Sequence, residues 1–181
     1  MKDYLKYYWS VFKHRTLVRH YCFKAGQYKL GITHDLDKYK ISYAKITVKR
    51  KRAVHPLDME KTLEPFQLME HFHDRTHPYH FEFWLDNLNS RKNNPMKIPY
   101  KYIIEIICNW IAIAKENKWC PEEIYSYYRH LRDGKIINHR TDKVINYLLD
   151  YYKKVPATVF FYLLKHTEES IVLTNYIENK N

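Results

Sequence analysis

Two groups of histidines give this sequence its chemical character. His34 and Asp35 are adjacent. Four further histidines fall within ten residues, at His71, His73, His77 and His80. An imidazole and a carboxylate together suit Zn, Fe, Mn or Ni better than Ca. Neighbouring side chains on a helix point about 100° apart, so His34 and Asp35 can share an ion only in a groove between helices.

A structural interpretation competes with the metal interpretation. Most His-Asp pairs lie on protein surfaces, and a His-rich segment interrupted by Pro78 is also typical of a solvated corner between two helices. Carboxylates that could orient the imidazoles stand nearby at Glu70, Asp74 and Glu82. Purely structural histidines predict that the protein binds no metal and that a chelator changes its stability little.

The elements that must position these residues are predicted to be helices. Apolar residues recur at three- and four-residue steps. One predicted helix begins near residue 33, and another runs from 78 to the polar run 89–95. The other predicted helices span about 3–25, 65–75, 99–117, 121–132, 141–152 and 156–165, followed by a tail helix. The second helix is expected to carry His34 and Asp35, and the basic segment 46–57 is expected to be a loop. Pro65 is expected to open its helix, and Thr141 to cap another.

Glu105 and Asn109 lie four residues apart on the long apolar helix 99–117, so they share a face. Buried polar groups among so many isoleucines would need partners. Two interpretations are open: the pair caps a polar pocket, or it marks the solvent stripe of an amphipathic helix. Periodicity alone favours the solvent stripe.

Length and composition predict a single all-α domain over 1–181, with its core in about 3–152 and a helical C-terminal extension over 153–181. Three glycines are too few for an all-β fold or a Gly-rich phosphate loop. The net charge of +11 suits a polyanion or a phosphorylated small molecule, although it also aids solubility.

The sequence also predicts where the protein works. Three cysteines without metal-type spacing predict reduced thiols in a cytosolic protein. We find no apolar stretch of about 18 residues and no signal-peptide pattern, so we expect a cytoplasmic protein without a membrane partner.

Several blocks resemble one uncharacterised family of phage and bacterial proteins, a domain of unknown function. Residues 34–39, HDLDKY, resemble its HDLSKY or HDLSKF block. Residues 14–32 resemble its H…CxKAG…GI block, and residues 73–84 resemble HHxxxNxHHFEYW. Residues 98–105 resemble MPxKYxxEMxxD, and 139–148 an HPxTR helix. The resemblance covers most of the chain and is weak after about residue 150.

Such families resemble the HD superfamily, whose helical domains set histidines and aspartates around metal. The resemblance implies a set of metal ligands: His14, His34, Asp35, His73, His80 and Asn109. Two positions depart from the pattern. Asn109 is an amide where the pattern has a carboxylate, for which Glu105 could compensate, and His77 stands where the family usually has Asn. His20 matches nothing in the pattern.

The resemblance implies a metal-dependent phosphohydrolase that acts on a nucleotide or nucleic-acid phosphate ester. The cofactor would be a divalent ion such as Mn, Fe, Ni, Co or Zn. His80 would be a ligand or a general acid, Glu105 a second catalytic carboxylate, and Lys38 would neutralise phosphate charge or remain an exposed helix lysine. The alternative is a non-catalytic, metal-stabilised helical module that binds nucleic acid or a host protein.

Overall fold

Helices make up almost all of the structure, a computed structural model that describes residues 1–86 and 94–178. This confirms the all-α prediction. The described α-helices are α1 (Lys2–Lys24), α2 (Tyr28–Thr33), α3 (Ile41–Arg52), α4 (Pro56–Thr76), α5 (Tyr100–Asn117), α6 (Pro121–Asp133), α7 (His139–Lys154), α8 (Ala157–His166) and α9 (Glu169–Glu178). Two 3-10 helices cover Leu36–Tyr39 and Phe81–Trp84. None of the described helices combines the length and the apolar character needed to cross a membrane.

The core is built around α5. Ten of its residues are buried, because apolar side chains occupy all its faces and neighbouring helices cover them. α1, α6 and α7 pack against it, and Phe160, Phe161 and Leu164 of α8 join the same buried cluster. The solvent-stripe interpretation of this helix is therefore wrong: the side chain of Glu105 is buried and that of Asn109 is half-buried.

A smaller core joins α1 to α3 and corrects the predicted loop. Tyr43, Ala44 and Val48 follow helical spacing and pack against Tyr7 and Val11 of α1. Residues 46–52 are therefore helical, and the prediction of a loop over 46–57 is wrong there. The basic run at the end of α3 masked this signal, because its side chains occupy the solvent face of a helix whose other face is apolar.

Helix starts were also mispredicted. α4 begins at Pro56, so Pro65 lies inside the helix instead of opening it. The side chain of Asn138 caps α7 by accepting a hydrogen bond from the backbone N–H of Arg140. Thr141 is buried within α7 and its hydroxyl instead accepts a hydrogen bond from the backbone N–H of Ile98. A proline or a threonine is therefore compatible with a helix start, but its presence does not determine where the helix begins.

The segment after α4 contains less helix than predicted. It contains the 3-10 helix Phe81–Trp84, after which Leu85–Asp86 pairs antiparallel with Asn94–Pro95. This two-residue pair, β1 and β2, departs from the helix-only prediction. The rest of the predicted helix end, residues 87–93, lies outside the described residues.

Candidate metal centre

His34 and Asp35 form a corner between helices, so the prediction of a helix carrying both is wrong. α2 ends at Thr33, His34 is extended, and Asp35 has a left-handed backbone with φ 53° and ψ 27°. Asp adopts this region more readily than most residues. The reversal at Asp35 turns the chain into the 3-10 helix Leu36–Tyr39, and both side chains are buried.

Arg15 of α1 holds this corner in place. Its Nε donates to the carbonyl oxygen of His34 at 2.6 Å, and its Nη2 donates to the carbonyl oxygen of Ile32 at 2.8 Å. Because His14 precedes Arg15 in α1, the same helix turn supplies both a candidate ligand and the anchor of the corner.

The corner brings together the first part of the predicted ligand set. His14, His34 and Asp35 each offer a ligand atom, and these atoms lie within 4.8 Å of one another. Nε2 of His34 lies 3.7 Å from Oδ1 of Asp35. A cavity of about 380 Å³ opens beside them and is also lined by His80 and Asn109. The structure therefore gathers residues from α1, the corner, the α4–α5 connection and α5.

Each of four candidate histidines has its Nδ1 on a carboxylate. The pairs are His14–Glu116 at 3.1 Å, His34–Glu105 at 3.0 Å, His73–Asp37 at 2.8 Å and His80–Asp74 at 3.2 Å. In metalloproteins such a contact fixes the tautomer, so that Nε2 carries the lone pair that binds the metal. Nothing local in the sequence connects Asp37 or Glu116 to its histidine, so the sequence does not predict these two pairs.

Three buried polar atoms at this site have no hydrogen-bond partner. They are Nε2 of His34, Nε2 of His80 and Oδ1 of Asn109. Leaving a buried acceptor unsatisfied costs about 1–3 kcal/mol, so such atoms need an explanation. All three are Lewis bases, and a divalent cation is a partner that all three can accept. The residues present therefore fit the metal that the resemblance implies.

Two of the predicted ligands are placed differently from His14, His34 and Asp35. A ligand atom of His80 groups with Asp74 and Glu82, whereas the fully buried His73 groups with Asp37 and His77. Nε2 of His73 lies 3.4 Å from Oδ1 of Asp35. His73 therefore lies behind Asp35 and can hold that carboxylate in place.

Sequence reasoning missed Tyr79, which lies in the middle of the site. Its hydroxyl donates to Asp35 and lies 2.8 Å from Nε2 of His73, and its ring packs against His34 and His80 at centroid distances of 4.2 and 4.4 Å. Burial, together with the charge of Asp35, raises the pKa of this phenol. The available signal was its place beside His80 in the predicted corner.

Charge favours an ionised Asp35. Burial by itself raises the pKa of this carboxyl, but His34, His73 and Lys38 outweigh burial and hold the pKa well below its usual range. Nζ of Lys38 lies 2.8 Å from Oδ2 of Asp35 and borders the cavity. Asp35 is thus an ionised carboxylate inside the protein, with Lys38 as its counter-ion and the Tyr79 hydroxyl as a hydrogen-bond donor.

His80 and His73 have opposite protonation tendencies. Burial lowers the pKa of His80 to about 3, and the positive charges of His73 and Lys38 reinforce this effect. Burial also lowers the pKa of His73, but hydrogen bonds to Asp35 and Asp37 outweigh it and raise the pKa to about 9. His80 is therefore neutral near pH 7, as a ligand must be.

Of the remaining predicted residues, Glu105 and His77 contact members of this centre, and two histidines are exposed. Glu105 contacts Nδ1 of His34 from behind and does not line the cavity, so its geometry is that of an orienting group. His77 contacts Asp37, at 3.5 Å, while His20 and His71 are exposed.

A family model matches residues 3–151, which include every residue of this centre; its description is a family of unknown function, DUF5662. The chain belongs to this family. Comparison with curated proteins and with solved structures gives no match. Membership agrees with the resemblance to a family of unknown function, whereas the relation to the HD superfamily stays a prediction.

Proposed function

We propose that this protein is a metal-dependent phosphohydrolase of the HD type, acting on the phosphate ester of a nucleotide or nucleic acid. The observation that supports the proposal most directly is the set of unpartnered atoms on His34, His80 and Asn109. His14, His34 and Asp35 offer ligand atoms within 4.8 Å of one another, and His80 and Asn109 line the cavity that His14 and Asp35 also line. This donor set suits Mn, Fe, Ni, Co or Zn.

The ligand roles follow from the contacts. His14, His34, Asp35, His80 and Asn109 would hold the ion. A divalent cation supplies Lewis-acid chemistry there, activating water near neutral pH and neutralising phosphate charge.

The supporting residues act on these ligands. Glu105 and Glu116 orient the imidazoles of His34 and His14, while His73 and Tyr79 fix the Asp35 carboxylate. Without these partners the imidazoles and the carboxylate would not be held in the orientation that binds the ion. Partners of this kind usually change metal affinity by about 10–100-fold.

Three residues of the cavity are candidates for an acid or a positive charge. A neutral His80 has no proton to give as an imidazolium near pH 7, so its lowered pKa favours the ligand role over general acid catalysis. Lys38 and Lys135 line the cavity. Lys38 contacts Asp35, and Lys135 contacts Glu82, so both ammonium groups are held where a phosphate would enter.

The opposite wall of the cavity supports an organic phosphate as substrate. Trp110, Ile113, Tyr127 and Leu131 line it and offer apolar and aromatic surface. A volume of about 380 Å³ falls within the range of small-molecule pockets. A nucleotide would place its phosphate between the two lysines and its base against these apolar and aromatic side chains.

Two observations favour a non-catalytic alternative. Asn109 contributes a neutral amide, which binds a cation more weakly than a carboxylate does. α3 ends in four consecutive basic residues, 49–52, at least three of which are exposed. A metal-stabilised helical module that binds nucleic acid through this basic surface would use the same centre for stability alone.

Metal quantification followed by an activity screen tests the proposal. The purified protein is analysed for bound metal, then assayed against nucleotides and nucleic acids with Mn²⁺, Ni²⁺, Co²⁺ or Fe²⁺. We expect metal-dependent release of phosphate that Asp35→Asn abolishes. Asp133→Asn, an exposed carboxyl at the end of α6, is the matched control.

Two results would overturn the proposal in different ways. Absence of bound metal would show that the histidines are structural. Metal binding with salt-sensitive polyanion binding and no turnover would favour the non-catalytic module.

A further inference from the structure

A second cavity, of about 770 Å³, lies between α6 and α7. It shares no lining residue with the cavity of the metal centre. α6 separates the two cavities: Tyr127 and Leu131 line the first, whereas Tyr125 and Arg129 line the second. This α6–α7 cavity plays no part in the proposed function.

Positive charge in the α6–α7 cavity is not compensated. Arg129 and Lys143 line it from opposite helices, and neither has an ion-pair or side-chain hydrogen-bond partner among residues 1–86 and 94–178. Two flexible cations that border one cavity without a counter-ion repel each other modestly and attract an anion.

The carboxylates of the cavity are already engaged. Asp142 accepts a hydrogen bond from the hydroxyl of Tyr128 at 2.5 Å and lies 3.5 Å from Arg132. Asp150 contacts Lys153 at 2.9 Å and Lys154 at 2.6 Å. These neighbours neutralise the two acids, so the field of Arg129 and Lys143 is left to act on a ligand.

Aromatic side chains form the remaining wall. The rings of Tyr147 and Tyr151 are stacked, with centroids 6.1 Å apart and planes inclined by 10°. Tyr125 of α6 lines the same cavity, and the ammonium of Lys153 lies 4.3 Å from its ring centre. Flat, electron-rich faces of this kind accept a nucleobase by stacking.

We propose that the α6–α7 cavity binds a nucleoside phosphate, with the phosphate on Arg129 and Lys143 and the base against Tyr151. Arginine is well suited to phosphate because its planar fork donates two parallel hydrogen bonds. A volume of about 770 Å³ is typical of small-molecule sites, and it favours a single nucleotide over a polymer. This site is independent of the metal centre.

Calorimetric titration of the metal-free protein tests the proposal. The probes are ADP, adenosine, inorganic phosphate and a ten-residue oligothymidylate. We expect ADP to bind more tightly than the other three, and Arg129→Ala or Lys143→Ala to raise its Kd about tenfold or more. Tyr151→Leu should weaken ADP and adenosine but not phosphate.

Matched variants make the outcome specific. Arg19→Ala and Lys115→Ala remove exposed charges elsewhere and should leave the Kd for ADP unchanged. Arg129→Lys keeps the charge and should lose less affinity than Arg129→Ala, and circular dichroism verifies that each variant is folded.

Three results would overturn the proposal. One is the absence of ADP binding at millimolar concentration. A second is ADP affinity that falls in Asp35→Asn but not in Arg129→Ala or Lys143→Ala. The third is oligothymidylate binding tighter than ADP, which would identify a polynucleotide surface instead.

Discussion

The Glu105 carboxylate lies 3.0 Å from Nδ1 of His34, across 71 residues of sequence. Both side chains are almost completely buried, so water does not screen the contact. An Nδ1–H that donates to Glu105 leaves the lone pair of His34 on Nε2, which is the unpartnered atom at the centre. α5 therefore contributes to the site by orienting a ligand on another segment.

Replacing Glu105 by glutamine tests this relationship. Glu105→Gln keeps the shape and a hydrogen-bond acceptor but removes the charge, so we expect the fold to persist. Metal affinity should fall about 10–100-fold. Competition with a chromophoric chelator measures the change. Glu64→Gln, exposed on α4, is the control, and equal affinity in both variants would show that Glu105 does not orient a ligand.

Loss of Arg15 should loosen the corner that carries His34 and Asp35. Arg15→Ala removes two hydrogen bonds to backbone carbonyls, together worth about 1–2 kcal/mol. The expected fall in Tm is roughly 2–8 °C in thermal unfolding, with weaker metal binding. Arg19→Ala, one turn later and exposed, should change the unfolding free energy by less than about 0.5 kcal/mol. A similar fall in both variants would mean that the corner does not depend on Arg15.

Gly31 lies where α2 approaches the backbone of α1 closely. A Cβ added at Gly31 would lie 2.8 Å from Cβ of Cys22 and 3.2 Å from Cα of Arg19. Gly31→Ala should therefore destabilise the protein by about 1–3 kcal/mol, despite alanine's better helix propensity.

Thermal unfolding measures that loss against Gly134→Ala. A Cβ at Gly134 would meet nothing closer than 3.8 Å, and its φ of −100° suits any residue. Its Tm should match that of the unsubstituted protein. If both variants were equally stable, the approach of α2 to α1 would be looser than the structure shows.

Local patterns predicted most of the fold because helices depend on nearby residues. The apolar period of α5 and Pro121 at the start of α6 gave the two segments almost their observed bounds. The prediction was wrong at α3. Residues 49–52 are all basic and resemble a loop, although Tyr43, Ala44 and Val48 occupy the buried face of the same helix.

The site was predictable in its residue types but not in its pairing. The spacing of the histidines indicated candidate ligands. His14, His34 and Asp35 form one group, His80 and Asn109 line the adjoining cavity, and His73 belongs to a neighbouring group. The partners Glu116 and Asp37, the anchor Arg15 and the left-handed backbone at Asp35 depend on contacts between distant elements. Only the packed helices determine those contacts.

Metal should stabilise the native protein by mass action. A divalent ion at 100 times its Kd adds about 2.7 kcal/mol, which corresponds to a rise in Tm of roughly 5–11 °C for a chain of this size. Thermal unfolding with and without chelator measures it. Asp35→Asn should lose the response while keeping the corner, because Asn also tolerates positive φ. An undiminished rise in Asp35→Asn would place the ion elsewhere.

Asn109→Asp should strengthen the centre. The unpartnered Oδ1 of Asn109 would become one oxygen of a carboxylate beside the other ligands. A pair of unit charges about 4 Å apart gains roughly 4 kcal/mol at an effective dielectric of 20, part of which desolvation offsets, so we expect a rise in metal affinity of about tenfold or more. The metal-free variant should melt at a lower temperature, because the added charge would border the same cavity as the Asp35 carboxylate. Asn117→Asp, exposed at the end of the same helix, controls for an added charge. Unchanged affinity together with an unchanged metal-free Tm would show that the side chain of residue 109 points away from the ion.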